Sequence, residues 1–315
     1  MFSDLALRRS IGLRIDAFSL YLDYPTMRLS IVLVLAIIQG FAELLPISSS
    51  AHVIIAERIF GLDPTTPELT FLLVMLHCGT MFAVLVYFWR RWKELLSRTN
   101  PNRGRFIGMI VITSAATGIL GLGLQLLIEK IVLGGTKGAA VEDLFGNSWI
   151  IGGALAAVGA LIIVAGRCAA RTKSGLGESR RPLISAFIVG LVQGLSLPFR
   201  GFSRSGASIS AGMLAGMGRE FAEEFSFFLA VILTVPVVGR EVWRLEASGR
   251  TTGDVASLPW IMGGLGLVFS FAAGSLAIRW LSAWLDKGRW IWFGVYCLVA
   301  SALVLCLRGL GILAQ

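Results

Sequence analysis

The chain has 315 residues, 56% of them hydrophobic and 15% charged, with a formal charge of +9 and a mean hydropathy of +0.78. Soluble domains run at about 45–50% apolar and about 25% charged, so this composition excludes one and points to a polytopic membrane protein. The positive charge does not point to nucleic acid, because Lys and Arg cluster in short loops between apolar runs, as in cytoplasmic loops of membrane proteins.

Residues 1–28 read as an extension, interfacial in character, with Phe18, Leu20 and Tyr21 on one side. Arg8, Arg9, Arg14 and Asp16 interrupt any signal-peptide core. An apolar run from Leu29 to Phe60 follows, broken by Gln39-Gly-Phe-Ala-Glu43-Leu-Leu-Pro46-Ile-Ser48-Ser49-Ser50-Ala-His52. Ionisable groups at membrane depth are costly and mark a site by default.

After a polar turn at 61–68, spans are predicted at 69–89, 106–127 and 148–166. The loop ending at Arg105 is basic and reads as cytoplasmic. Loop 128–147 is mixed and reads as external, and loop 167–182 is basic and internal. A second broken run covers 183–217, interrupted at Arg200-Gly201-Phe202-Ser203-Arg204-Ser205-Gly206. Spans at 221–243, 258–280 and 290–312 complete the chain. Loop 244–257 is external, and Arg279, Lys287 and Arg289 put the last loop inside. Against this, the extension carries Arg8, Arg9, Arg14 and Arg28 on a side read as external.

The two broken runs share local sequence, Ile38-Gln39-Gly40-Phe41 against Val192-Gln193-Gly194-Leu195, each leading to a proline and a serine cluster. The predicted fold is therefore an all-α polytopic inverted repeat, each half a re-entrant helix hairpin plus three transmembrane helices. The repeats are residues 29–166 and 183–315, joined by the basic linker 167–182. Such irregular backbone must be shielded by protein or line a wet cavity.

Gln39 and Glu43, four apart, share a helical face. Pro46 ends that helix, and Ser48 or Ser49 can cap the next one. Ser49 and His52 can face one point. In the second break Gly201 and Gly206 allow close backbone approach, Ser203 or Ser205 caps, and Arg204 offers a planar fork suited to phosphate. Together these are the parts of phosphoryl transfer. Oriented amides and positive charge would stabilise the transferring group. Glu43, helped by Gln39, could hold a hard divalent cation, and a hydroxyl or imidazole could attack phosphorus.

Blander roles have weight. Ser48, Ser50, Ser208 and Ser210 could simply permit helix packing. Arg204 could form a structural ion pair, with Glu43 itself. Isolated His77 reads as a packing or supporting residue, Glu220, Glu223 and Glu224 as facing an interface, and Met213 and Met217 as packing. Cys78, Cys168, Cys297 and Cys306 have no metal-ligand spacing and read as buried free thiols.

On these residues the chain resembles the undecaprenyl-diphosphate phosphatase family, the membrane enzymes also called bacitracin-resistance proteins. One family motif matches Gln39 to His52 and a second ends in Gly201-Phe-Ser203-Arg204-Ser205-Gly206-Ala-Ser208. Glu224-Phe-Ser-Phe-Phe-Leu-Ala230 is similar to the family's following helix, and the resemblance covers about residues 30–312. It implies hydrolysis of undecaprenyl diphosphate to undecaprenyl phosphate, the recyclable carrier for peptidoglycan and other envelope polymers, with bacitracin resistance as a consequence. It also implies a divalent cation, Mg²⁺ or Ca²⁺, and a bacterial cytoplasmic membrane location with the site open to the outer face. The partners are then the polyprenyl diphosphate and membrane lipids, with no nucleic acid; a homodimer is compatible.

The family's functional positions match Gln39, Glu43, Ser49, His52, Ser203, Arg204 and Ser205. Ser48, Gly206 and Arg200 are added as phosphate contacts, and Glu43 with Gln39 as metal residues. Three departures stand out: Gln39 at the first acidic position, Arg200 in place of the usual proline before Gly201, and Ala51 where glycine is common. The attacking group is left between Ser49 and His52. The rival activity is a polyprenyl-phosphate flippase, since inverted repeats with broken helices also suit transporters.

Overall fold

The computed structural model describes residues 28–62, 66–132, 147–171, 181–247 and 258–310. All regular structure among them is helical. Helices α1 (Leu29–Leu44) and α2 (Ser49–Ile59) flank the first break. Three long helices follow: α3 (Pro67–Leu95), α4 (Arg103–Leu127, running into a π-helical turn at Ile128–Val132) and α5 (Ser148–Arg171). Helices α6 (Pro182–Ser196) and α7 (Arg204–Leu214) flank the second break. Then come α8 (Arg219–Ala247), α9 (Leu258–Asp286) and α10 (Trp290–Gly309).

Among the described residues, six helices are long and apolar enough to cross a membrane: Leu69–Leu95, Arg103–Lys130, Ser148–Cys168, Arg219–Arg240, Trp260–Asp286 and Trp290–Gly309. These are the six predicted spans, but the helices extend beyond most of the apolar windows. Helix α3 continues through Trp89-Arg90-Arg91-Trp92-Lys93, where the apolar run stops. Arg and Lys are good helix formers, so hydropathy marks the apolar stretch rather than the helix end. The extension 1–27, the acidic part of loop 128–147, most of the linker 167–182 and the loop 248–257 lie outside the described residues.

The helices are held close by small residues and by hydroxyls that reach a neighbouring backbone, the usual means of association where lipid is as apolar as the side chains. Helix α1 lies so close to α9 that a Cβ on Gly40 would collide with the Cβ of Ala273 and sit 3.0 Å from the amide nitrogen of Gly274. Helix α6 lies on α4 in the same manner: Thr113 and Thr117 donate to the carbonyls of Ala186 and Gly190 at 2.8 and 3.1 Å. Ser301 of α10 donates to Gly152 O of α5 at 2.7 Å. A large apolar cluster that includes Leu44, Phe106, Val158, Ile209, Phe225 and Trp290 joins the two halves. The two breaks therefore lie within protein.

Glu223 and Glu224 do not face an interface; they are 3% and 1% exposed. Ser282 donates to Glu223 at 2.7 Å, and Arg91 Nε pairs with Glu224 at 2.9 Å. Packing of α8 on α3 brings Glu224 against the basic end of that helix, while Glu223 finds its partner on α9. The thiols are not uniformly buried either: Cys297 is, whereas Cys168 and Cys306 are exposed on helix surfaces. Met213 and Met217 are buried in the main cluster, as expected for packing.

Candidate active site

Helix α1 ends at Leu44 because Pro46 follows, which lacks the amide a further helical bond needs. The chain turns through Ser48, at φ +70° and ψ 92°, the one non-glycine residue with positive φ among those described. Ser48 occupies the N-cap position of α2 yet makes no side-chain capping bond; its hydroxyl lies 3.3 Å from that of Ser50. Nor does Ser49 cap. As the first residue of α2 it donates its hydroxyl to Glu43 Oε2 at 2.5 Å. Gln39 Nε2 donates to the same oxygen at 3.1 Å, the i, i+4 pairing the spacing predicts.

The second break is built differently. Gly201 has φ +99°, and a Cβ there would lie 2.6 Å from the carbonyl oxygen of Ile151, so glycine is required twice over. Ser203 caps α7, accepting from the Gly206 amide at 3.2 Å. Arg204 opens α7 and reaches Glu43 Oε1 at 2.5 Å. The backbones meet as well: a Cβ on Gly206 would lie 3.2 Å from Pro46. Residues 161 positions apart thus share one ion pair, its carboxylate side chain 7% exposed and its guanidinium 28%.

A cavity of about 390 Å³ opens at this junction. Glu43, Ser49 and His77 line one side and Arg200, Ser203 and Arg204 the other, with Leu233 and Val238 of α8 as apolar wall. Of the expected site residues, Gln39, Ser48 and Ser205 also line it. Gly206 does not, because its amide is spent on the cap and its Cα faces Pro46.

His52 is the larger departure. Its spacing allows it to face the same point as Ser49, but it does not line the cavity. Its Nδ1–H donates to the Ser48 carbonyl at 2.7 Å, and Nε2 bonds the Tyr296 hydroxyl at 2.6 Å. Ser49 is drawn back towards α1 by Glu43, while the imidazole, three residues on, turns to α10. The imidazole inside the cavity is that of His77, for which the sequence suggested packing. Its Nδ1–H donates to Leu73 O at 2.8 Å, which aims Nε2 at Glu43 Oε2, 3.4 Å away. Four side chains therefore converge on one carboxylate. His77 and Tyr296 carry no motif of their own; the i−4 carbonyl bond of His77 and the neighbouring Gly79 are too common in helices to have singled it out.

This donor set does not form a cation cage. Among the described residues no group of three or more His, Cys, Asp or Glu converges as a metal site. Glu43 is the cavity's carboxylate, and both its oxygens already accept from Arg204, Ser49 and Gln39. A hard divalent ion needs several oxygen ligands, mostly anionic or water.

Among the described residues, six membrane-length helices around a buried polar junction define a polytopic helical membrane protein with an internal site. A family model described as "Bacitracin resistance protein BacA" matches residues 32–303, and the chain belongs to that family. It is 51% identical over 283 residues to a protein of Acinetobacter baylyi named "Undecaprenyl-diphosphatase 2", covering 88% of this chain and 96% of that one. It is 34% identical to "Undecaprenyl-diphosphatase" of Rhodopirellula baltica (88% and 97% covered). It is 33% identical to "Undecaprenyl-diphosphatase 2" of Burkholderia ambifaria (89% and 96%).

Proposed function

We propose that this protein hydrolyses undecaprenyl diphosphate to undecaprenyl phosphate and inorganic phosphate, returning the lipid carrier to envelope-polymer synthesis and lowering the target of bacitracin. Family membership and the relatives' names support the activity. The observation that carries the mechanism is the line Ser49–Glu43–Arg204, which joins a hydroxyl, a base and a guanidinium across the two breaks inside one cavity.

In this reading Ser49 Oγ attacks the terminal phosphorus and passes its proton to Glu43. The bond to the bridging oxygen breaks and undecaprenyl phosphate leaves. Arg204 exchanges its contact with Glu43 for the phosphoryl oxygens, where a preorganised cation is worth most in the transition state. Arg200, Ser203 and Ser205 hold the remaining oxygens. Glu43 gives its proton to the departing phosphate oxygen; once ionised again it takes a proton from the water that attacks the phosphoserine and passes it to Ser49 Oγ, releasing inorganic phosphate and restoring the Ser49 hydroxyl. Ser49 is preferred to His52 as the attacking group because it lines the cavity and already bonds a base. The divalent cation that the family resemblance implies, Mg²⁺ or Ca²⁺, would be held chiefly by the diphosphate oxygens, with Glu43 and Gln39 as the protein groups that would complete its ligands, and would offset charge on the phosphoryl groups.

The inverted repeat belongs to the same reading. Helices α1 and α6 have 16 and 15 residues, α2 and α7 11 each, and α3 and α8 29 each. Helix α1 packs on α9 as α6 packs on α4, the exchange an internal two-fold demands. With basic loops inside, each broken run enters and leaves on one side of the cytoplasmic membrane, and the cavity opens to the outer face.

Phosphate release from a long-chain polyprenyl diphosphate, by protein purified in detergent with Mg²⁺, tests the activity. Acid-quenched protein should retain label from the terminal phosphate, and Ser49→Ala should not. Arg204→Ala should lower the rate by about 10²–10³. Absence of release, or full release by both variants, would refute the proposal.

A further inference from the structure

Ser48 is held in a backbone region that side chains with a Cβ seldom adopt, and it immediately precedes Ser49. Such a conformation persists only when its surroundings over-determine it. The Ser48 carbonyl receives the His52 main-chain amide at 3.4 Å, a weak first-turn bond, and the His52 Nδ1–H at 2.7 Å. The imidazole therefore makes the close contact.

The imidazole is itself held from behind. Tyr296 bonds its Nε2 at 2.6 Å and stacks on the ring, centroids 5.7 Å apart and planes 17° apart. The next residue, Cys297, is buried and lies 3.4 Å through sulfur from the carbonyl of Pro46. Two consecutive residues of α10 thus grip the turn on both sides of Ser48. No residue of α10 lines the cavity. Tyr296 is the seventh residue of a membrane-length helix. Water is scarce at such a depth, so a lost partner there is poorly replaced.

We propose that His52 and Tyr296 are positioning residues: they lock the Ser48 turn from the α10 side and so fix the Ser49 hydroxyl against Glu43. The proposal rests on Ser49 being the attacking group. For His52 to act directly on phosphorus, its ring would have to leave both the Ser48 carbonyl and Tyr296 and swing into the cavity. As a latch it acts where it stands. A small misplacement of a nucleophile costs large factors in rate without changing substrate affinity, which separates the two roles.

The experiment is a steady-state series in detergent with a polyprenyl diphosphate and Mg²⁺, each variant first passed through size exclusion. Wild type is run first; if it releases no phosphate or carries no acid-stable label at Ser49, the catalytic reading fails independently of the latch. His52→Asn places an amide donor where Nδ1–H stands and cannot act as a proton-transfer group. It should keep at least about tenfold more kcat than His52→Ala, with KM within about twofold of wild type and the pH–rate profile unchanged in shape. Tyr296→Phe, which keeps the ring, should lose about three- to tenfold in kcat, the worth of one hydrogen bond. A His52→Asn enzyme no better than His52→Ala, a lost limb of its pH profile, or a wild-type rate from Tyr296→Phe would each overturn the latch. Should His52→Ala fail to fold, the pH profile of His52→Asn and the rate of Tyr296→Phe decide alone.

Discussion

Glu43 and Arg204 offer the most direct test of whether the two breaks form one site. Glu43 is 8% exposed and Arg204 meets it through a 2.5 Å contact. Removing the guanidinium removes a preorganised cation, worth about 2.7–4 kcal/mol or about 10²–10³ in rate. Removing the carboxylate removes the base, worth about 10²–10⁴. If the two acted independently, Glu43→Gln combined with Arg204→Ala would multiply these factors to about 10⁴–10⁷. Groups that act as a unit behave otherwise, and the double variant should fall within about tenfold of the worse single variant. Stability should follow the same logic. Glu43→Gln strands the guanidinium, and Arg204→Ala strands a buried carboxylate. Stranding one member costs about 3–5 kcal/mol for a fully buried pair; about 3 kcal/mol is expected here, because Arg204 keeps 28% of its side chain exposed. The double variant should regain part of that loss. The assay is phosphate release at low substrate together with thermal unfolding in detergent. Multiplicative rates with additive losses of stability would show that the pair is not a functional unit.

The other expectations test separate contacts. His77→Leu removes the 3.4 Å contact to Glu43 and should lower kcat/KM about tenfold, with His77→Gln, which keeps a polar side chain there, recovering most of it. Equal rates for both variants would remove His77 from the site. Gly40→Val drives a side chain into Ala273 and should destabilise by about 1–3 kcal/mol. Gly118→Ala, where a Cβ meets open space, should stabilise by up to about 1 kcal/mol; a melting-temperature comparison checks both. Mg²⁺ added to substrate-free protein should leave the melting temperature unchanged, and should raise it only with the diphosphate present, because no group of three or more ligands converges among the described residues. A shift without substrate would indicate a resident site.

Several features follow from the sequence by itself. Composition and run length determine a membrane protein with six long spans, because apolar runs of membrane length have no other stable environment. The two breaks are equally legible, since Glu43, His52 and Arg204 interrupt apolar runs that would otherwise continue. Spacing also gives the Gln39–Glu43 contact, as residues four apart on a helix are neighbours regardless of what surrounds them. The Ser203 cap is local in the same sense.

What the tertiary structure alone decided are the partners. Glu43 meets Arg204 across 161 positions, and His52 meets Tyr296 across 244. His77 enters the site because α3 passes α1 on the side that Glu43 faces, a matter of helix rotation that hydropathy does not encode. His52 leaves it because the backbone at Ser48 adopts a positive φ, which a run of three serines does not announce. Glu224 turns inward for a related reason, a basic helix end supplied by α3, and Glu223 because α9 supplies Ser282. Local sequence specifies which groups are available along each helix; long-range packing selects which of them converge.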